Sequence, residues 1–167
     1  MVNQELEPLI DSAAAVGGNA RTASGRTFHP VGHVALEALC DRNARFGLPA
    51  TTYWVKSLYI SWPLQYCGLG RAAMTQVERA AAQPPFNSTF IGLDTLPGHF
   101  QRSDQVLSMA FDSRGVDRPT ELRTNEDWFR RQGYRVIGSD SCLYCRRDPV
   151  SGRVAALPGL FFKKALR

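Results

Sequence analysis

Long apolar runs are missing from this chain of 167 residues. None approaches the roughly 20 consecutive apolar residues that a membrane-spanning helix needs. Glu5, Glu7 and Asp11 precede any apolar run, which is the wrong pattern for a secretory leader. A cytoplasmic protein with no membrane partner is expected. Cysteine is scarce too, present only as Cys40, Cys67, Cys142 and Cys145. Of these, Cys142-Leu143-Tyr144-Cys145 has a metal-like spacing, but no second Cys/His pair lies near it in the sequence. Structural zinc takes four ligands, and residues three apart in a strand point to opposite faces. Ordinary reduced cysteines and no metal are the expectation. Charge of one sign is not gathered into blocks either. The net charge of +5 is spread out, with small clusters at Arg130–Arg131, Arg146–Arg147 and Lys163–Lys164. No nucleic-acid motif stands out, and the aromatics are not interleaved with a basic stripe. A basic nucleic-acid-binding protein is thus a distant reading. A solvated surface explains the charge best, and an anionic cofactor next.

The content that is present, 44% hydrophobic, suits one globular domain over residues 1–167 with a core of its own. Gln4–Ala15 reads as a short helix with Leu6, Leu9, Ile10 and Ala13 on one side, stopped by Gly17-Gly18-Asn19. Gly32–Leu39 and Thr52–Ser61 read as an antiparallel hairpin closed by a loop of about a dozen residues. A helix follows from Gly68 to about Ala82, with Ala73, Val77, Ala80 and Ala81 as its apolar stripe and Pro84-Pro85 ending it. Phe90–Leu96 is a buried strand, and a helix falls around Asp104–Phe111. Thr124–Gln132 is a short helix with Thr124 as N-cap, Asp127 completing a capping box, and Gly133 closing it. Two strands, Tyr134–Arg146 and Leu157–Ala165, end the chain around a turn at residues 148–152. The fold class is α/β: a mixed, twisted sheet with flanking helices.

Chemistry concentrates in Leu58-Tyr59-Ile60-Ser61-Trp62-Pro63-Leu64-Gln65-Tyr66-Cys67-Gly68-Leu69-Gly70-Arg71-Ala72. A strand runs into a glycine turn that opens a helix. The first turn of any helix has unpaired N–H groups and a partial positive charge. Glycines there let a phosphate approach the backbone, so the corner suits a diphosphate. A Walker-type loop is excluded because no Gly-Lys-Ser/Thr occurs. The dinucleotide fingerprint is excluded because Ala73 stands where its third glycine belongs.

Gln65-x-x-Gly68-x-Gly70, preceded by the Leu58-x-Ile60 strand, resembles the Gln/Arg-x-x-Gly-x-Gly/Ala signature of the GNAT superfamily of acyl-CoA-dependent N-acyltransferases. Thr124-Asn125-Glu126-Asp127-Trp128-Phe129 through Gly133-Tyr134 is similar to a later motif of that family. Phe90–Leu96 suits the strand between them. The likeness covers about Gly32 to Leu166, and its wording is closest to fungal members. The resemblance implies acetyl-CoA as co-substrate and a small-molecule amine or other amino group as acceptor, with no metal. Backbone N–H groups from Cys67 through Gly68, Leu69, Gly70 and Arg71 to Ala72 would hold the pyrophosphate beside Gln65 and Tyr66. Leu58, Tyr59 and Ile60 would bond the pantetheine arm. Asn125 and Phe129 carry over to the cofactor site from the later motif.

Two departures stand out. Phe129 occupies the position where many members carry a tyrosine that protonates the leaving thiolate. Tyr134 and Tyr66 are the substitutes at hand. About 30 residues precede Gly32, fewer than the family's usual N-terminal half. This implies an abbreviated region 1–31 before the acyl-CoA-binding core at 32–166, and an uncovered strand edge that favours a homodimer. Residues 97–124 read as an insertion or flap. Glu37 is the candidate base that deprotonates the amine, with Asp94 behind it. A catalytically silent acyl-CoA-binding domain is the alternative.

Overall fold

The computed structural model describes residues 7–16, 19–147 and 154–166. Its architecture is mixed α/β, a mixed sheet with flanking helices. The chain divides into two compact units, one running to Ile91 and taking up Ala165 onward, the other Gly92–Lys164. Among the described residues no helix is long and apolar enough to cross a membrane.

The first unit begins with four two-residue strands. β1 (Leu9–Ile10) and β2 (Ala15–Val16) pair antiparallel with later strands, β3 (Asn19–Ala20) with β2 and β4 (Thr27–Phe28) with β1. The helix expected over Gln4–Ala15 is therefore corrected where the chain is described; residues 1–6 lie outside the described residues. Its intended apolar stripe found nothing to cover it, since Leu9 is 51% and Ile10 66% exposed. A dozen residues make only a marginal helix without such cover. Asp11 instead ties the turn, its carboxylate accepting from the Ser24 N–H at 2.9 Å and hydroxyl at 2.6 Å and from Arg21. Those bonds hold its carboxyl well below the usual carboxylate range.

β5 (Gly32–Ala38) and β6 (Tyr53–Ile60) form the expected antiparallel hairpin, with a short helix, α1 (Cys40–Arg45), in the connection. Asn43 of α1 is 2% exposed and has its polar atoms matched. Its Oδ1 accepts from Trp54 Nε1 at 2.8 Å, and its Nδ2 donates to the Thr52 carbonyl at 2.9 Å. A buried amide needs such partners, and here they anchor the fully buried Trp54. After β6, a 3-10 turn at Trp62–Leu64 leads to α2 (Leu69–Ala82). The buried residues of α2 are Met74, Val77 and Ala81, spaced by three, four and seven as a helix face requires. α2 packs that face on β5 and β6. The stripe expected through Ala73 and Ala80 is thus shifted to include Met74, its largest member.

In the second unit, β7 (Phe90–Thr95) leads to α3 (Gly98–Gln101), α4 (Asp104–Ala110) and α5 (Asn125–Arg131). Residues 97–124 carry helices of their own, and Arg118 braces them through Asp104 at 2.7 Å and Asp112 at 2.5 Å. β8 (Arg135–Arg147) and β9 (Val154–Ala165) form an antiparallel pair; the turn expected at 148–152 lies outside the described residues. Among the described residues of this unit, Leu93, Phe129, Tyr134, Phe161 and Phe162 have buried side chains.

The β8–β9 ladder breaks between Asp140 and Tyr144, whose partners are Gly159 and Leu157. Four steps on β8 thus face two on β9, across Pro158, which has no N–H to offer a ladder. Leu143 settles over Gly159, where an added Cβ would lie 2.1 Å from the Leu143 side chain. The bulge interrupts the regular alternation from which opposite faces for Cys142 and Cys145 were expected. The two thiols interact, and the charge of Cys145 beside it is the largest influence pushing the Cys142 thiol up.

Candidate functional site

The site begins with a fault in a strand. Between His33 and Ala35 the hairpin register shifts, so that two steps on β5 face three on β6, from Tyr59 to Lys56. The extra residue falls at Ser57–Leu58, and Ser57 takes φ 54°, a left-handed conformation costly for a residue with a Cβ. A bulge of this kind leaves the added residue out of the ladder and turns the strand. Beyond it, β5 and β6 come very close: a Cβ on Gly32 would sit 2.3 Å from the Tyr59 carbonyl oxygen. Gly32 is therefore obligatory there, and its place at the start of an expected strand did not single it out.

The turn after β6 is braced from inside. Gln65 Nε2 donates to the Ile60 carbonyl at 3.0 Å, so its side chain ties the turn to the strand end. The Ser61 N–H donates to the Val31 carbonyl at 2.8 Å. Tyr66 follows at φ 67° with its side chain 97% exposed. Gly68 is the N-cap of α2 at φ 85°, and no side chain caps the helix. The Gly68 carbonyl takes the first helical bond, from the Ala72 N–H at 3.0 Å. The N–H groups before Ala72 have no carbonyl within the helix to bond. An added Cβ on Gly68 would meet nothing within 4 Å, and Tyr66, Cys67 and Gly68 are all exposed. The corner is thus open, firmly built and electropositive by its dipole. Leu69 and Gly70 are half-buried, while Arg71 and Ala72 are exposed on the first turn of α2.

The second motif folds differently. Thr124 caps α5: its Oγ1 accepts from the Asp127 N–H at 3.2 Å, and Asp127 accepts from the Thr124 N–H at 3.4 Å. The Thr124 hydroxyl, donating at 2.7 Å, holds the Asp127 carboxyl below its usual range. Burial pushes the Glu126 carboxyl up, but the Gly98 N–H at 2.7 Å and Arg130 outweigh it, and the net shift is downward. The Asn125 N–H donates to Gln101 Oε1 at 3.0 Å. α5 ends as expected at Gly133, φ 88°. The Tyr134 N–H bonds the Phe129 carbonyl and the Gly133 N–H that of Arg130, the paired bonds of a Schellman closure.

Of the candidate catalytic residues, Glu37 is exposed on β5 opposite Trp54. Asp94 on β7 is half-buried and accepts a hydrogen bond from the Tyr144 hydroxyl, a partner that the sequence did not reveal. Phe129 is 6% exposed and packs edge-on against Tyr134, ring centroids 5.7 Å apart, with Phe162 at 6.3 Å. Tyr134 is buried as well, at 2% exposure. The structure brings Leu58, Tyr59, Ile60, Gln65, Tyr66, Cys67, Gly68, Leu69, Gly70, Arg71 and Ala72 together on one strand–turn–helix corner of the first unit.

No protein-family model matches the sequence, and no curated protein does. Among solved structures the chain is similar to an IAA acetyltransferase from Bacillus cereus ATCC 14579, at 12% identity over 87% of this chain and 74% of that one, TM-score 0.49. It is similar at 12% identity to an aminoglycoside 6'-N-acetyltransferase complexed with coenzyme A, over 88% of this chain and 71% of that one, TM-score 0.48. An acetyltransferase of the GNAT family from Staphylococcus aureus Mu50 shares 15% identity over 83% of this chain, TM-score 0.45. The chain covers 62% of that enzyme's length.

Proposed function

We propose that this chain is a GNAT-like N-acetyltransferase, one domain of the cytoplasm that moves an acetyl group from acetyl-CoA to a small-molecule amine. The observation that supports it is the open, uncapped start of α2 at Gly68 directly after the bulged strand β6, on the residues Gln65-x-x-Gly68-x-Gly70. Backbone N–H groups at that corner bind the diphosphate, a task for which a glycine turn and a helix dipole are suited. Gln65 keeps the turn in register by holding the Ile60 carbonyl. The main chain of Leu58, Tyr59 and Ile60 orients the pantetheine arm. When bound, acetyl-CoA supplies the thioester carbonyl that the amine attacks. Main-chain N–H groups of β6 near the bulge polarise its oxygen.

Glu37 takes the proton from the incoming ammonium, with Asp94 as the second candidate. Phe129 has no proton to give, so Tyr134 is our candidate donor to the leaving thiolate. General acid help of this kind is worth roughly 10²–10⁴-fold. The chain's charge of +5 suits an anionic co-substrate better than a nucleic acid, because no basic stripe accompanies it.

Calorimetry with acetyl-CoA is the first test. No binding at millimolar concentration overturns the proposal. Thiol release across an amine panel then separates turnover from mere binding. A second reading, a silent acyl-CoA-binding domain, is favoured by Phe129, whose buried ring carries no hydroxyl of its own. Binding with no thiol release from any amine selects it. In an active protein, Glu37→Gln lowers kcat/KM on the order of 100-fold near neutral pH with the acetyl-CoA affinity retained. An unchanged value excludes Glu37 as the base.

A further inference from the structure

Cys142 and Cys145 play no part in the corner at Gly68, and both are exposed free thiols. In an unbroken strand residues three apart are separated by about 10 Å, at roughly 3.3 Å per residue. A disulfide needs Cα atoms within about 7 Å, so a regular β8 would keep the pair apart. The register break changes the sum. From Asp140 to Tyr144 the strand advances only as far as Gly159 does to Leu157 on β9, about 6.6 Å for four residues instead of about 13 Å. Cys142 lies midway along the compressed stretch and Cys145 one step past its end, which leaves them about 6–7 Å apart along the strand. Asp140 fixes the near side, its Oδ1 accepting from the Cys142 N–H at 3.0 Å. Leu143, seated over Gly159, fixes the middle. No group of three or more His, Cys, Asp or Glu side chains able to hold a metal occurs among the described residues, so thiol chemistry suits the pair better than metal binding.

We propose that Cys142 and Cys145 are a dithiol site that closes to an intramolecular disulfide by exchange with a small-molecule disulfide. One of the two thiols, as thiolate, attacks a sulfur of R–S–S–R. The old S–S bond breaks, and the leaving R–S⁻ takes up the proton released by the attacker. A mixed disulfide remains on the protein. The second thiol attacks its protein-side sulfur in the same way and expels the second R–SH. Two protein thiols are oxidised to one disulfide and one small disulfide is reduced to two thiols, with no other oxidant.

The test uses the whole folded chain and oxidised glutathione, followed by alkylation of free thiols and tryptic digestion. No Lys or Arg lies between Val136 and Cys145, so one peptide ending at Arg146 carries both sulfurs. The expected product is that peptide lacking two hydrogens, with neither glutathione nor alkyl group. The ratio of closed to mixed disulfide should be on the order of tenfold higher in folded protein than in urea. Cys142→Ser should trap glutathione on Cys145 instead. Separate glutathione adducts on both cysteines of folded wild-type protein would overturn the proposal. So would a closed fraction no greater than in urea, or pairing with Cys40 or Cys67.

Discussion

The two helix starts that matter here, α2 at Gly68 and α5 at Thr124, solve the same problem in opposite ways. Every helix begins with N–H groups that its own carbonyls cannot reach. At α5 the chain satisfies them itself: Thr124 and Asp127 bond each other's backbone, and Gln101 accepts from Asn125. At α2 no side chain does so, the N-cap is a glycine, and a Cβ added there would meet nothing within 4 Å. Gly68 supplies the left-handed turn without filling the corner, a conformation that costs a residue with a Cβ. A capped start is a stability device, and the open one on a braced turn is where we propose that the anion binds.

Putting a carboxylate into the open start is the strongest way to break this contrast. Gly68→Asp should weaken acetyl-CoA binding on the order of 100-fold or more, because like charges about 4 Å apart in a partly shielded site repel by several kcal/mol. Aspartate tolerates the left-handed conformation of this position better than most residues with a Cβ, so helicity by circular dichroism should persist. Unchanged affinity would mean that the phosphates are held elsewhere. Thr124→Ala, at the capped start, should cost about 1 kcal/mol and lower the Tm by about 2–4 °C for a chain of this size. A Tm within half a degree of wild type would show that the box contributes nothing.

The smallest effect is a pH dependence confined to the capped start. The Asp127 carboxyl is held below its usual range by the Thr124 hydroxyl. A depressed carboxyl contributes stability above its unfolded pKa, about 3.9, and loses it as pH falls through the folded value. Asp127→Asn should therefore flatten the acid side of the stability profile below about pH 4. A profile parallel to that of wild type would remove Asp127 from acid unfolding.

Both helix starts were legible in the sequence because their signals are local. Gly68-x-Gly70 and Thr124-x-x-Asp127 each act within a single helical turn, so their spacing alone predicts the geometry. The hairpin of β5 and β6 was legible for a similar reason, as runs rich in β-branched and aromatic residues bounded by turns. The helix expected near Leu9 and Ile10 failed where the local pattern needed a surface to pack on. Its apolar stripe was real, but nothing buried it, and Asp11 bonded Ser24 and Arg21 instead.

The sequence by itself determined the glycine corner, the capping box, the closure at Gly133 and the alternation of strands with helices, all of which depend on neighbours within a few residues. Tertiary structure alone decided the two strand faults. Ser57 leaves the ladder because of how β5 meets β6. The β8–β9 ladder skips from Asp140 to Tyr144 opposite Pro158, a residue of another strand with no N–H to offer. Register belongs to a pair of strands, and no reading of one strand at a time contains it.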